Sequence, residues 1–396
     1  MSGFRVSQLV TPERRTMLYY FVNFTSSGAA VAYAGIWFAS QGLTSGEIGI
    51  VNSLSVFLLL GLNIVVGRIA DKARDWRQVI IAGALMSAIV PIGLFFSRGF
   101  LPILIVWTCI AVPYAAISPV ADAAALRMTR RNGTEFGTIR AFGTVGYMVS
   151  NAVTGVLVSA FSGAIFIPFY VGLNLARGVV ALWLPKFRAP PVAETVSAVA
   201  GPPLAGRLRE VMKPWFVLPI FGSAVVVATH AIINAFAALV WKEQGIPDAT
   251  IGALIAIGAF AEAAMMFTWR RIGARFSARA ALLVAALVTV VRWAGMGFGP
   301  PVWVLVFLQL LQSLSYALGY LGTVHFIAKW TSEDIAAECQ SFFVVLQQIV
   351  TVIVVSGFGW LAGFMGAAAF FVAAAFAVVG ALCIWISMRL RQPQPG

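Results

Sequence analysis

Twelve runs of about 20 mostly apolar residues, separated by short polar loops, limit what this chain can fold into. They cover roughly 16–40, 46–70, 76–97, 101–128, 135–160, 164–187, 214–240, 248–271, 278–298, 301–329, 335–363 and 366–388. A run of that length spans the hydrocarbon core of a bilayer as an α-helix. Hydrocarbon offers no partner to backbone N–H and C=O groups, so each segment must satisfy them internally, as a helix does. Composition agrees: 60% of residues are apolar and 10% charged, against about a quarter charged in a soluble domain. The expected fold is all-α and integral to a membrane, with 12 transmembrane helices. The N-terminal "MSGFRVSQLVTPERRTM" is polar and basic and lacks the apolar core and cleavage site of a secretory signal. The first apolar run is therefore expected to remain as a span.

The net charge of +13 comes from 27 Lys and Arg against 14 Asp and Glu. With a cytoplasmic N-terminus, only Arg98 and Lys242 fall in outer loops, and Arg140, Arg177 and Arg292 fall within spans. The rest lie at cytoplasmic ends, so the positive-inside rule puts both termini in the cytoplasm. No soluble segment could hold a duplex, so the basic charge points to the bilayer and not to nucleic acid. Cys109, Cys339 and Cys383 make no disulfide framework and are expected as buried thiols. Trp residues cluster at span ends, Trp37 and Trp241 among them, and are expected as interfacial anchors.

One loop is written twice. "QGLTSGEIG" at Gln41–Gly49 returns as "QGIPDATIG" at Gln244–Gly252, 203 residues later. Thr44 and Glu47 have capping-box spacing, and Asp248 is a candidate N-cap. The bland reading is a tight reversal between paired helices. As a ruler, the repeat divides the chain into an N-terminal six-helix half at 1–187, a cytoplasmic linker rich in Pro and Ala at 188–213, and a C-terminal six-helix half at 214–396. Two similar halves related by an axis along the membrane normal are a transporter design with the substrate at the midplane.

The chain resembles the major facilitator superfamily over essentially its full length. "GRIADKARDWRQ" is similar to that superfamily's Gly-x-x-x-Asp-Arg/Lys signature through Gly67, Asp71 and Lys72; Arg74 and Asp75 replace the usual Gly-Arg. In the second half Ala274 stands where the Asp would be. The resemblance implies a gating role for Gly67, Asp71 and Lys72. "FGTIRAFGTVGY" at Phe136–Tyr147 resembles a motif of the phenylpropionate permease branch and its nucleoside and oligosaccharide symporter relatives, the lactose-permease-like group. Thr229-His230, Phe236, Gly245, Ile251-Gly252, Ala261-Glu262, Arg292-Trp293 and His325 follow the same branch. It departs at Ile232 and Ile233, where tyrosines are common, and at Ala328 and Lys329, where lactose-permease-like proteins carry a coupling acid.

An ionisable side chain inside a span is a functional candidate. Asp122 and Arg140 each lie about five residues from the same membrane face, roughly 8 Å deep at 1.5 Å per residue, on consecutive antiparallel spans. They are expected to approach one another. The resemblance supports Asp122, Arg140, His230, Arg292 and His325 as substrate-binding, and offset 203 relates Asp122 to His325. Glu262 is the first candidate for proton coupling and Asp122 the second. Against each stands a plain structural role, tying helices or satisfying a neighbour; for Arg177 the two are evenly matched, and Glu338 fits a favourable helix start.

No nucleotide-binding loop, metal cluster, catalytic triad or cofactor fingerprint is present in the sequence. The expected function is therefore not enzymatic and needs no cofactor. It is proton-coupled import of a small organic substrate by alternating access, with protons and the lipid bilayer as further partners, in the plasma membrane, by a monomer. Three Arg and two His against two acids among the span candidates favour an organic anion such as an aromatic carboxylate. A sugar or nucleoside symporter, or an exporter of drugs or siderophores, stays open; the stretch Gly143–Gly155 lacks the Pro common in exporters.

Overall fold

The structure is a computed structural model that describes residues 11–187, 213–272, 277–331 and 333–390. The proposed linker lies almost wholly outside the described residues. The helices are α1 (Pro12–Ser40), α2 (Ser45–Lys72), α3 (Trp76–Ile89), α4 (Phe100–Asn132), α5 (Phe136–Phe161), α6 (Phe166–Ala181), α7 (Pro214–Thr229), α8 (Ala238–Glu243), α9 (Asp248–Ile272), α10 (Ala278–Gly297), α11 (Val302–Leu310), α12 (Leu318–Trp330), α13 (Glu333–Met365) and α14 (Phe370–Arg389). Among the described residues there is no strand.

Ten stretches are long and apolar enough to cross a membrane. The last of them, Cys339–Arg389, holds α13 and α14 together. α1 is not among the ten. Its Asn23, Thr25 and Ser26 make it too polar, yet all three are buried against protein.

Local chemistry sets the helix ends. Thr11 caps α1, accepting from the Arg14 N–H, with Pro12 in the first turn. Thr44 and Glu47 form the expected capping box on α2. Asp75, the residue that breaks the loop signature, caps α3 through the Arg77 N–H at 2.8 Å and accepts from the Phe187 N–H at 3.1 Å. Arg77 and Arg131 donate to the carbonyls of Leu182 and Phe187. These bonds tie down the chain after α6, which ends at Ala181 and not near 187.

The repeated loop is a repeated conformation. Gly42 and Gly245 both adopt positive φ, +85° and +80°, a region open to Gly at little cost. Leu43 N–H donates to Phe38 and Ile246 N–H to Trp241, while the two glycine N–H groups reach Ala39 and Lys242. Both are Schellman ends. Asp248 is the first residue of α9 and not its cap, and it pairs with Lys242 at 2.6 Å. Trp37 and Trp241 are 6% and 1% exposed, so they are core residues and not interfacial anchors; Trp37 packs on Phe38 and Phe166. Cys109 is exposed on α4 and Cys383 only half-buried, contrary to expectation, whereas Cys339 is buried.

The described helices pack as two units. One holds α1–α6 with Trp241–Ala256, and the other holds the remainder. Small residues set the helix crossings in each, because close backbone approach replaces a hydrophobic drive in lipid. In the first unit, a Cβ on Gly28 would lie 2.5 Å from the Tyr147 carbonyl oxygen, and one on Gly146 would strike the Phe21 carbonyl. Gly155 and Gly252 let α5 meet the start of α9 in the same way, against the Asp248 and Asn151 carbonyls at 2.5 Å. In the second unit, Gly222 of α7 and Gly380 of α14 lie backbone to backbone.

Gly222→Ala places a Cβ 2.5 Å from the Gly380 carbonyl oxygen and is expected to cost about 1–3 kcal/mol by overpacking. Gly61→Ala, which meets no atom within 4 Å, is the control. Thermal unfolding of the two purified variants checks this, and equal midpoints would remove the crossing as a determinant of stability.

Candidate functional site

Each unit buries its own polar cluster. In the first, α1 is the scaffold. Tyr20, Phe24 and Ser27 recur at the i, i+4, i+7 spacing of one helix face. The Tyr20 hydroxyl donates to Asp122 Oδ1 at 2.5 Å. The Arg140 guanidinium stacks over the Phe24 ring, 4.3 Å from its centroid. Ser27 shares a hydrogen bond with the Tyr114 hydroxyl. Among the described residues Asp122 and Arg140 share no ion pair. The expected approach is realised as electrostatic reach without contact, because each side chain takes its partner from α1, one turn apart. Pro113 and Pro119 interrupt α4 beside Tyr114 and Asp122; each removes a backbone donor and loosens the regular helix there.

Arg177 joins this cluster from α6. It is 1% exposed, donates from Nη1 to Ser26 Oγ at 3.2 Å, and stacks over Tyr114 at 5.1 Å. The buried Tyr19 hydroxyl lies within electrostatic reach of both Arg177 and Asp122.

The second unit centres on Arg292, fully buried on α10. Nη2 donates to Gln309 Oε1 at 2.6 Å, and Nη1 donates to Gln312 Oε1 and to Ser315 Oγ at 3.2 Å. Ser315 in turn lies 3.1 Å from His230 Nε2, and His230 Nδ1 lies 2.9 Å from the Val226 carbonyl. A carbonyl only accepts, so Nδ1 carries the proton; in the neutral ring Nε2 then accepts from the Ser315 hydroxyl. The result is one directed chain, Arg292 to Ser315 to His230 to Val226. Trp293 and Tyr316 flank the imidazole at 5.0 and 5.3 Å between centroids, and the Trp293 indole N–H donates to Thr229. Gln312 Nε2 donates to Glu262 Oε2 at 3.4 Å, which brings the acid to the far side of the same amide.

Two of the helices that supply this cluster leave regular α geometry at it. π turns occupy Ile233–Ala237, just past His230, and Ser313–Ala317, which contains Ser315 and Tyr316. Such turns shift side-chain register and are frequent at functional sites.

The structure therefore brings Asp122 within electrostatic reach of Arg140, and links Arg292 to His230 through Ser315 and to Glu262 through Gln312. It does not bring His325 to the second cluster. His325 is exposed, faces the Trp269 ring edge-on at 6.3 Å, and lies ten residues beyond Ser315, roughly 15 Å along the helix. Gly67 and Asp71 fall in the last turns of α2, where the surroundings of both lie outside what is described, and Lys72 is exposed at the helix end. Sequence reasoning missed Tyr20 and Ser315. A tyrosine in an apolar run carries no signal, but Gln309, Gln312 and Ser315 at three-residue spacing mark a polar stripe.

A family model described as the MFS_1 like family matches residues 14–371. The chain belongs to the MFS_1 like family. Its members are transporters and not enzymes. A probable 3-phenylpropionic acid transporter of Escherichia coli (strain K12) is 24% identical over 315 residues, covering 78% of this chain and 81% of the relative. A lactose permease of Klebsiella oxytoca is 25% identical over 350 residues, covering 82% of each. Among solved structures, the nucleoside transporter NupG superposes with a TM-score of 0.82 at 16% identity, over 96% of this chain and 100% of that one. At that identity the likeness speaks for the fold. This MFS_1 like chain is thus a multi-pass membrane transporter with two buried polar clusters.

Ser315→Ala removes the oxygen that serves both Arg292 and His230. Leaving those buried donors and acceptors without a partner is expected to cost about 1–3 kcal/mol. The shift in thermal midpoint of the purified variant checks it; a change within about 0.5 kcal/mol, as at an ordinary surface position, would break the proposed chain.

Proposed function

We propose that this protein imports a small organic anion, with an aromatic carboxylate as the favoured class, in symport with protons by alternating access. The observation that carries the reading is charge balance. Buried or half-buried within the two clusters are Arg140, Arg177 and Arg292, against the acids Asp122 and Glu262. Phe24, Tyr114 and Trp293 lie against these cations, which suits a ligand with both a carboxylate and a ring. The relative named for 3-phenylpropionic acid belongs to the same chemical class.

Asp122, Arg140, His230 and Arg292 are the proposed substrate contacts, and Glu262 is the proposed proton carrier, with Asp122 second. Glu262 is linked to Arg292 through a single amide, so protonation of Glu262 leaves the Arg292 charge less compensated and more favourable to an anion. An anion and a proton entering together leave the net charge of the cluster unchanged. Binding of each then favours binding of the other, as symport requires.

We further read the chain as twelve spans with both termini cytoplasmic, in the plasma membrane, as a monomer. α1 counts as a span because its polar residues face protein, and Cys339–Arg389 counts twice because it holds two helices. Gly67, Asp71 and Lys72 keep their proposed gating role. A sugar or nucleoside is the second reading, favoured by the uncharged Gln309 and Gln312 in the second cluster.

In proteoliposomes, Glu262→Gln is expected to abolish proton-driven accumulation of the substrate while counterflow exchange persists; accumulation at the wild-type level eliminates Glu262 as the carrier. Arg140→Lys is expected to weaken substrate binding about tenfold, since an ammonium lacks the planar fork. Wild-type affinity by calorimetry would remove Arg140 from the binding set. A ligand-stabilisation screen across aromatic acids, sugars and nucleosides decides the substrate class.

A further inference from the structure

Arg177 is the charged residue of α6, a helix otherwise apolar or neutral. Its surroundings differ from those of the arginines that tie helix ends. Arg279 donates to the Ser387 carbonyl at 2.6 Å and Arg77 to the Leu182 carbonyl at 2.6 Å, each meeting a backbone acceptor. Arg177 spends only Nη1, on Ser26 Oγ. Its Nε and Nη2 are buried and have no hydrogen-bond partner. Among the described residues no carboxylate pairs with it. An uncompensated guanidinium is costly in an apolar interior, so the arrangement calls for an acceptor.

The open donors are not scattered. Nε–H and the adjacent Nη2–H run parallel along one edge of the guanidinium, the edge that matches both oxygens of a carboxylate. The structural bond to Ser26 uses the nitrogen on the opposite side, and the Tyr114 ring lies against the guanidinium face. Nearby, the Tyr19 hydroxyl is also buried without a partner and lies within electrostatic reach of Arg177. A phenol can donate one more hydrogen bond to the same anion. Asp122 does not fill this role, since it accepts from Tyr20 and the cation that acts on it electrostatically is Arg140.

We infer that Arg177 is an anion receptor whose Nε–Nη2 edge takes the carboxylate of the transported compound, with the Tyr19 hydroxyl as a third donor. The inference rests on the organic-anion reading above and makes Arg177 the residue that separates acids from their neutral analogues. Arg140, packed on Phe24 and facing Asp122 electrostatically, has an acid to balance it; among the described residues no carboxylate pairs with Arg177.

The test titrates purified full-length protein with 3-phenylpropionate and with its neutral amide, 3-phenylpropionamide, by calorimetry. Wild type is expected to prefer the acid. Arg177→Lys is expected to lose about tenfold in affinity for the acid and to hold the amide as wild type does, and Tyr19→Phe is expected to lower the acid-to-amide ratio by a few-fold. Arg177→Lys binding the acid normally, or losing acid and amide alike, overturns the inference. If Arg177→Lys does not fold, an unchanged ratio in Tyr19→Phe overturns it. A ligand-free protein that is destabilised when gluconate replaces chloride, with no competition from 3-phenylpropionate, would mark a resident inorganic anion and also overturn it. Wild type that binds sugars or nucleosides but neither probe refutes the organic-anion reading itself, and Arg177 as substrate receptor falls with it.

Discussion

A buried guanidinium must find its hydrogen bonds inside the protein, and much of this structure follows from how two of them do so. Arg292 takes Gln309, Gln312 and Ser315, and through Ser315 it orients His230. Those acceptors lie where α11 gives way to a π turn, and His230 lies where α7 ends. Arg177 is held by one serine and one tyrosine ring and keeps its bidentate edge open. One cation organises its surroundings, and the other is left with capacity for a ligand.

The two units solve the same problem with different side chains. Counting 203 residues from Tyr20 leads to Ser223, and from Asp122 to His325. In the first unit Tyr20 bonds Asp122; in the second Ser223 bonds Thr323, two residues short of the histidine. The repeat thus preserves which helices are tied together and not which residues tie them. The same offset carries Pro113 and Tyr114 of α4 into the π turn Ser313–Ala317. Both units leave regular helical bonding at this level, one through proline and one through an extra residue in the turn. Each departure frees backbone next to a polar cluster.

Much of the architecture was legible in the chain. The apolar runs predicted the helices, the Gln-Gly loops predicted two equivalent turns, and Gly42 and Gly245 take up the same left-handed conformation. The capping box of Thr44 and Glu47 was readable from spacing alone. Reading was less sure where a residue has two plausible environments. Trp37 and Trp241 stand at helix ends, as interfacial anchors do, yet the turns fold them into the interior. α1 falls short of an apolar span by composition because its polar face is turned toward protein, a fact no window average can register.

The sequence by itself determined the helical class, the paired turns, and the short roster of charged residues within apolar segments, because period, length and capping act over a few residues. Tertiary structure alone decided which of those residues share a cluster. Helix packing turns Asp122 toward Tyr20 and not into an ion pair with Arg140, and places Glu262 one amide from Arg292. It leaves His325 exposed and Arg177 buried with two donors unspent. Those outcomes depend on the rotation of each helix about its own axis. Contacts between residues from 20 to 102 positions apart fix that rotation, and local sequence carries no record of it.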